Sequence, residues 1–290
     1  MELQELGFIG RVHPFFLKRV FGMRVGEGES PDPLKALIQK MTAAPRALLS
    51  RVSRSSVFVE MQICSQCSFI QTRMPFEEQA INRLYVDYRS ASYNRERIEY
   101  EPSYAAIAES VGQHAQELES RVTAATKFIK DKVPTGTDFT ILDYGGADGK
   151  FLPRLEGKKF VFEISNIEPI AGVTRVHSEE EMGTYSLVQL THVIEHVVNP
   201  LELVKRVGSK VAQGGFLYLE TPQELTDEVR AALRNGSGRS VSVHEHINSY
   251  CVAAVKKLIE SAGFRFLAIE ATAVDAGWSN AVHIRALGQK

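Results

Sequence analysis

One stretch limits the fold more than any other: Ile141-Leu142-Asp143-Tyr144-Gly145-Gly146-Ala147-Asp148-Gly149-Lys150-Phe151. Thr140, Ile141 and Leu142 form a short apolar run that ends in an acid and then in clustered glycines. Helix-compatible residues follow, among them Phe151, Leu152, Arg154 and Leu155. That order predicts a buried parallel strand, a tight turn and then a helix N-terminus. The glycines let the backbone turn sharply and approach a ligand that a Cβ would keep away. A second strand, Lys159 to Glu163, again ends in an acid. It lies about twenty residues beyond Asp143, where a βαβ unit offers a carboxylate to both ribose hydroxyls of an adenosine.

The pattern Asp143-x-Gly145-x-Ala147-x-Gly149 resembles the first motif of the class I S-adenosylmethionine (SAM) methyltransferases, acid-x-Gly-x-Gly-x-Gly. Ala147 stands in place of the middle glycine. The Gly-x-Gly-x-x-Gly spacing is not present, which argues against an NAD enzyme. The resemblance implies an α/β fold with a Rossmann-like, seven-stranded sheet and SAM at its carboxyl edge. Asp143, Tyr144, Gly145, Gly146 and Gly149 would then form the turn around the methionine moiety. Glu163 would hold the ribose and Ile164 would pack on the adenine.

The 290 residues, 44% hydrophobic, suffice for one α/β domain with an extension. A formal net charge of −1 supplies no general attraction to nucleic acid, so none is expected as a partner. Cys64, Cys67 and Cys251 are too few for a secreted disulfide framework and point to a reducing cytoplasm. No apolar run reaches the length of a membrane span, and the acidic N-terminus does not read as a signal peptide.

Residues 7–25 set Phe8, Ile9, Val12, Phe15, Phe16, Leu17, Val20 and Phe21 among Arg11, Lys18, Arg19 and Arg24, with no acid. Such a basic amphipathic segment packs as a helix on the body of the protein or on a second copy in a homodimer. The alternative is a peripheral contact with the anionic inner face of the membrane. A linker (Gly26 to Pro33) and a basic, helix-compatible stretch (Leu34 to about Arg54) complete an N-terminal extension, residues 1–56. Val57 to Ile63 alternates like a strand and runs into Cys64-Ser65-Gln66-Cys67. Such a knuckle is half of a zinc ribbon, and tetrahedral zinc needs four ligands. No second cysteine pair and no nearby His-x-x-x-His is present, so no zinc is expected and packing must keep the element's shape.

Cys67 to Ser90 resembles the sugar C-methyltransferases, which carry a zinc-ribbon segment and a Tyr/Ser-rich loop ahead of the SAM domain. The first cysteine pair is missing here. The loop from Tyr88 to Tyr100, with Tyr88, Tyr93 and Arg95, suits a polyhydroxylated ligand or closure over SAM. An ordinary polar connector is the other reading. These features make residues 57–102 a ribbon-like segment with a Tyr-rich loop. A long amphipathic helix, Ser103 to Lys132, then opens a methyltransferase domain over residues 103–290.

Within that domain Gly172 to Val176 reads as the third strand. In the acidic turn that follows, the resemblance assigns Glu179 to the adenine amino group; a solvated turn is the alternative. Tyr185 to Leu190 is the fourth strand. His192-x-x-Glu195-His196 has the letters of an inverted zinc-protease motif, but that chemistry needs both histidines on one helix and a third ligand. A strand precedes the motif, and Asn199-Pro200 opens a new helix, Leu201 to Val211. The string resembles instead the motif after strand four of these methyltransferases. That implies Thr191 and His192 line the cofactor and His196 faces the acceptor.

Phe216 to Glu220 is the fifth strand, and residues 223–242 read as a mobile flap. Val243-His244-Glu245-His246-Ile247-Asn248-Ser249-Tyr250 resembles a Tyr-His-Glu-His segment of the sugar C-methyltransferases. The likeness implies acid–base work for Glu245 and His246, with His244 beside them. Val243 replaces the family's tyrosine, which tells against C-methylation. Asn248-Ser249 caps a helix, Tyr250 to Ala262, that Gly263 ends. Phe266 to Ala273 and Asn280 to Ala286 close the sheet as an antiparallel pair, and the family's further C-terminal domain is expected to be missing.

These readings together imply SAM-dependent methyl transfer to a sugar, nucleotide-sugar or glycan acceptor, O- rather than C-methylation. His246 is the expected base, oriented by Glu245, with His196 second. Two other classes stay open: a small-molecule O-methyltransferase acting on quinones or phenols, and a non-catalytic SAM-binding scaffold.

Overall fold

A computed structural model describes residues 3–22, 52–53, 56–73, 76–88, 90–108, 115–165, 167–237, 241–275 and 280–290. The expected linker at 26–33 and nearly all of the basic stretch after it lie outside the described residues. In chain order the first elements are β1 (Leu3–Val12), α1 (Pro14–Phe21), β2 (Val52–Ser53), β3 (Ser56–Cys64), β4 (Ile70–Thr72), α2 (Glu78–Tyr85) and α3 (Ala91–Tyr100). A 3-10 turn at Pro102–Ala106 precedes α4 (Ala115–Lys130), β5 (Thr140–Tyr144), β6 (Lys158–Phe162), β7 (Val173–Val176) and β8 (Tyr185–Thr191). Then come α5 (Pro200–Gly208), β9 (Val211–Pro222), α6 (Asp227–Arg234), β10 (Val241–Val243) and β11 (Asn248–Ser249). The last are α7 (Val252–Ser261), β12 (Arg265–Asp275) and β13 (Asn280–Gln289). Among the described residues no helix is long and apolar enough to cross a membrane.

The chain forms two compact units. The first gathers residues 1–109, 196–198 and 225–249; the second holds 110–195, 199–224 and 250–290. Residues 196–198 and 225–249 thus group with the N-terminal part, although their sequence reads as methyltransferase domain.

The first unit is built on a six-stranded sheet in the order β10-β1-β3-β4-β11, with β2 paired to β3. Val59, Met61 and Ile63 of β3 enter the core cluster at alternate positions, while Gln62 and Cys64 on the other face are buried as well. Gly10 lets β1 approach them, since a Cβ there would sit 2.8 Å from Met61 Sδ. Residues 7–25 do not make one helix. Their first part is β1, and α1 begins after His13, whose Nδ1 accepts the Phe15 N–H at 3.3 Å. Phe15, Phe16, Leu17 and Val20 are buried in this unit's core, which is the packing on the protein's own body that the sequence offered as one reading. The flap expected at 223–242 contains α6. Thr226 caps α6, and Arg230 and Leu233 of that helix are buried.

The second unit carries a seven-stranded sheet, order β12-β13-β9-β8-β5-β6-β7. β5, β6, β7, β8 and β9 run parallel, and β13 is antiparallel to both of its neighbours. Ile141, Leu142, Leu187, Val188, Leu190, Leu217 and Leu219 form its fully buried centre, the near-continuous apolar runs of a sheet covered on both faces. The helix expected after the glycine turn is not there: residues 145–157 run through turns directly into β6. Pro153 lacks the N–H an interior helical position needs. Gly157, at φ +113°, lies where a Cβ would fall 2.0 Å from the Phe139 carbonyl oxygen. Leu152 and Leu155 still reach the core, so their apolar character serves packing rather than helical periodicity. The expected helix 103–132 is shorter, a 3-10 turn and then α4, with 109–114 outside the described residues. Asn248 and Ser249 lie in β11 rather than capping α7, which starts after Cys251. Gly263, at φ +92°, does follow its end.

Candidate active site

At the carboxyl edge of the seven-stranded sheet the parallel strands deliver their terminal residues together. Asp143, next to last in β5, is fully buried, and neither carboxylate oxygen has a hydrogen-bond partner. Burial pushes this carboxyl up to about 7; the nearby Gln189 amide pulls the other way without reaching hydrogen-bonding geometry. Gly146 packs on it directly, and a Cβ there would fall 2.2 Å from Asp143 Cγ and Oδ2. Gly146→Ala is therefore expected to destabilise the protein by about 1–3 kcal/mol through overpacking. Denaturant titration checks this; an unchanged midpoint would mean the turn is free to move away.

The turn itself is tied to β6. Gly145 N–H donates to Phe162 O at 2.8 Å, and Ala147 N–H donates to Glu163 Oε2 at 3.0 Å. Glu163 Oε1 accepts Ser165 N–H at 2.9 Å, which fixes the carboxylate at the end of β6. Gly145 (φ +75°), Ala147 (φ +51°) and Gly149 (φ +79°) are all left-handed. Ala147 thus holds the backbone that the motif's middle glycine adopts freely, at a cost of about 1–2 kcal/mol. Ile164, beside Glu163, is 75% exposed, an apolar side chain left in water next to the carboxylate.

Tyr144 OH donates to Glu179, and Arg206 Nε pairs with Glu179 Oε2 at 3.2 Å. Burial and then Glu179 push the Tyr144 phenol up to about 12. Thr191 ends β8 with a buried, unpartnered hydroxyl, and His192 follows at φ +55°. Residues 192–196 contain no helix, so the His-x-x-Glu-His letters share no helical face and the protease geometry fails.

A network not anticipated from sequence lies beside His192. Glu220, near the end of β9, accepts from Arg121 Nε at 3.0 Å, Arg285 Nε at 3.1 Å and Tyr218 OH at 2.7 Å. His283 Nδ1 lies 3.1 Å from Glu220 Oε1 and 3.3 Å from His192 Nε2. Glu195, itself bonded by Thr221 Oγ1 at 3.0 Å, lies 3.4 Å from His192 Nδ1. Burial would raise the Glu220 carboxyl, but Arg121, His283 and Arg285 together hold it well below the usual range. The signal was present in the sequence: ionisable residues at alternate positions of two otherwise apolar strands, which the register then pairs as Arg285 with Glu220. Two arginines on one carboxylate leave a metal ion nothing to neutralise, although His192, Glu220 and His283 cluster closely enough to hold one.

The remaining sequence-derived residues lie in the first unit. Glu245 Oε1 accepts from Tyr93 OH and Arg97 Nη1, each at 2.7 Å. Despite burial, Arg97 in particular holds this carboxyl below its ordinary value. Glu245 is thus an anion gripped by Tyr93 and Arg97, and the ring beside His246 is that of His196, at 4.7 Å. His196 Nδ1 meets Tyr85 OH at 2.7 Å and the Glu245 carbonyl at 3.0 Å. Tyr88 packs edge-on against Tyr85 and Tyr93, while Arg95 points to the exposed side. His244 Nε2 sits 3.5 Å from Glu101 Oε2, and His244 and then Arg97 hold Glu101 down at about 2. Burial, with His244 next, pushes His13 down to about 4. His13, Glu101 and His244 also cluster. But Arg97 already neutralises Glu101 at 2.8 Å, and Nδ1 of His13 is taken by the α1 N-terminus.

Among the described residues neither Cys64 nor Cys67 joins a group of potential metal ligands. The knuckle is held by Arg230, whose guanidinium donates to Ser68 O at 2.7 Å and Ser249 Oγ at 2.8 Å. Hydrogen bonding as well as packing therefore keeps its shape.

Residues 106–269, more than half of the chain, match the family model of the methyltransferase domain. The chain belongs to the methyltransferase family. It is a methyltransferase enzyme, and its seven-stranded α/β sheet is the Rossmann-like sheet expected for class I members. Among solved structures, this methyltransferase is similar to the Burkholderia thailandensis 1,6-didemethyltoxoflavin-N1-methyltransferase (11% identity, 79% of this chain and 97% of that chain, TM-score 0.48). It is similar to a possible histamine N-methyltransferase of Thermotoga maritima (15% identity, 64% and 98%, TM-score 0.42). A SAM-dependent methyltransferase of Mesorhizobium loti is a third (12% identity, 60% and 100%, TM-score 0.40). At these scores none of them bears on what this chain binds.

Proposed function

We propose that this methyltransferase uses SAM and methylates a hydroxyl of a sugar, nucleotide-sugar or glycan acceptor. The observation that carries the cofactor assignment is Glu163. Its carboxylate is fastened to the glycine turn through Ala147 N–H and flanked by exposed Ile164, which suits a ribose with an adenine beside it. The buried, unpartnered oxygens of Asp143 and Thr191 at the same edge fit a ligand that brings donors. SAM supplies the methyl group as an electrophile. The protein's part is to align the acceptor and exclude water.

A sugar hydroxyl keeps its proton at neutral pH, so a base must take it as the carbon–oxygen bond forms. His246 is assigned that role, with His196 second. Glu245, held as an anion by Tyr93 and Arg97, is the group assigned to orient His246, and its charge also acts on His196. Tyr85 and Tyr88, both half-buried, support the sugar assignment, since ring faces and hydroxyls suit a polyol; Tyr93 is fully buried and serves to hold Glu245. His246→Ala should leave SAM affinity within about twofold and lower turnover on sugar acceptors by ~10²-fold or more. Unchanged turnover removes His246 from the mechanism. Turnover on catechols alone would favour the phenol-type reading.

A further inference from the structure

We propose that His283 keeps His192 uncharged, and that an uncharged His192 lets the site distinguish the sulfonium of SAM from the thioether of its demethylated product, S-adenosylhomocysteine. The inference rests on the assignment of Thr191 and His192 to the cofactor edge. His192 leaves β8 in a left-handed conformation that its N–H bond to Glu220 O (2.8 Å) helps to hold, and its side chain is one-quarter exposed. Its Nδ1 lies 3.4 Å from Glu195 Oε1; its Nε2 lies 3.3 Å from His283 Nδ1 and 3.8 Å from Glu220 Oε1.

An ionised carboxylate only accepts, so the 3.1 Å contact between Glu220 and His283 places a proton on His283 Nδ1. That same N–H faces His192 Nε2, which must then be a lone pair. The one proton of a neutral His192 falls on Nδ1, towards Glu195. Protonating Nε2 would set two N–H groups against each other at 3.3 Å. Nor is Glu220 available to attract the extra charge, because Arg121 and Arg285 already take it up. The groups facing His192 are therefore Glu195 after β8, Glu220 on β9 and His283 on β13, with Arg121 and Arg285 behind Glu220. Asp143 on β5 is the other titrating group of this edge. A positive His192 repels a sulfonium and leaves a thioether indifferent.

The test is equilibrium binding of SAM and of S-adenosylhomocysteine between pH 5.5 and 8.5. In the wild type the affinity ratio, SAM over product, is expected to fall about tenfold or more towards acid. His192→Asn, which tolerates the left-handed backbone, should remove part of that fall; the rest belongs to Asp143. His283→Leu removes the N–H that opposes a proton on His192 Nε2, so the fall should move to higher pH. His283→Asn, whose amide replaces the N–H, should follow the wild type. Superimposable wild-type and His192→Asn profiles would overturn the proposal even if His283→Leu does not fold. So would a His283→Leu profile equal to the wild type. Should neither ligand bind the wild type, the cofactor assignment itself falls.

Discussion

Asp143→Asn is expected to make the ligand-free protein more stable at pH 8 while weakening its hold on SAM by tenfold or more. Burial raises the Asp143 carboxyl to about 7 in the folded chain, against about 3.9 when unfolded. A carboxyl raised by folding favours the fold fully below its unfolded value, and that contribution is lost as pH climbs to the folded value. At pH 8 the buried anion therefore costs about 4 kcal/mol relative to pH 4. Asparagine has nearly the same shape and no charge to bury. The stability gap between variant and wild type should be near zero at pH 4, open between pH 4 and 7 and stay level above. Denaturant midpoints at pH 5 and 8 decide it, and an equal gap at both values would show that Asp143 is solvated. The loss of SAM affinity follows because the same carboxylate is an unpartnered acceptor at the cofactor edge.

Glu220→Gln has the second large effect, in the opposite direction. Glutamine fills the space but removes the one carboxylate that Arg121 and Arg285 share, leaving these buried cations only Glu117 at 3.3 Å and the more exposed Glu270 at 3.5 Å. Breaking such a cluster from one side costs about 3–5 kcal/mol. The joint at risk is the pairing of β9 with β13, where Glu220 lies opposite Arg285. Adding Arg285→Met to Glu220→Gln should recover part of the loss, since it removes the stranded charge. A Glu220→Gln protein with wild-type stability would mean that water reaches both arginines.

What was legible in the sequence was local. The strands of the second unit follow from short apolar runs, and the glycine turn after β5 follows from residues that must take φ above zero. Gly149 and Gly263 do what glycine at those places predicts. The missing helix after the turn was illegible because Leu152 and Leu155 are apolar at helical spacing whether they pack from a helix or from a turn. Pro153 is the local residue that tells against the helix, and the close approach of Gly157 to the Phe139 carbonyl is a contact no local pattern encodes. The partners of Glu245 were hidden for the same reason. Arg97 stands 148 residues away, and only the fold brings its guanidinium to that carboxylate. β1 shows the converse: Phe8, Ile9 and Val12 fit a helical stripe, yet pairing with β3 and β10 draws the backbone into a sheet.

The central claim is that Glu163 grips the ribose of SAM at the carboxyl edge of the seven-stranded sheet. Calorimetric titration of the intact chain with SAM, beside its Glu163→Ala variant, tests it most directly. One-to-one binding to the wild type, weakened at least tenfold in the variant while SAM's product follows the same pattern, is the result expected. No heat from either ligand, or equal affinity in both proteins, would contradict it.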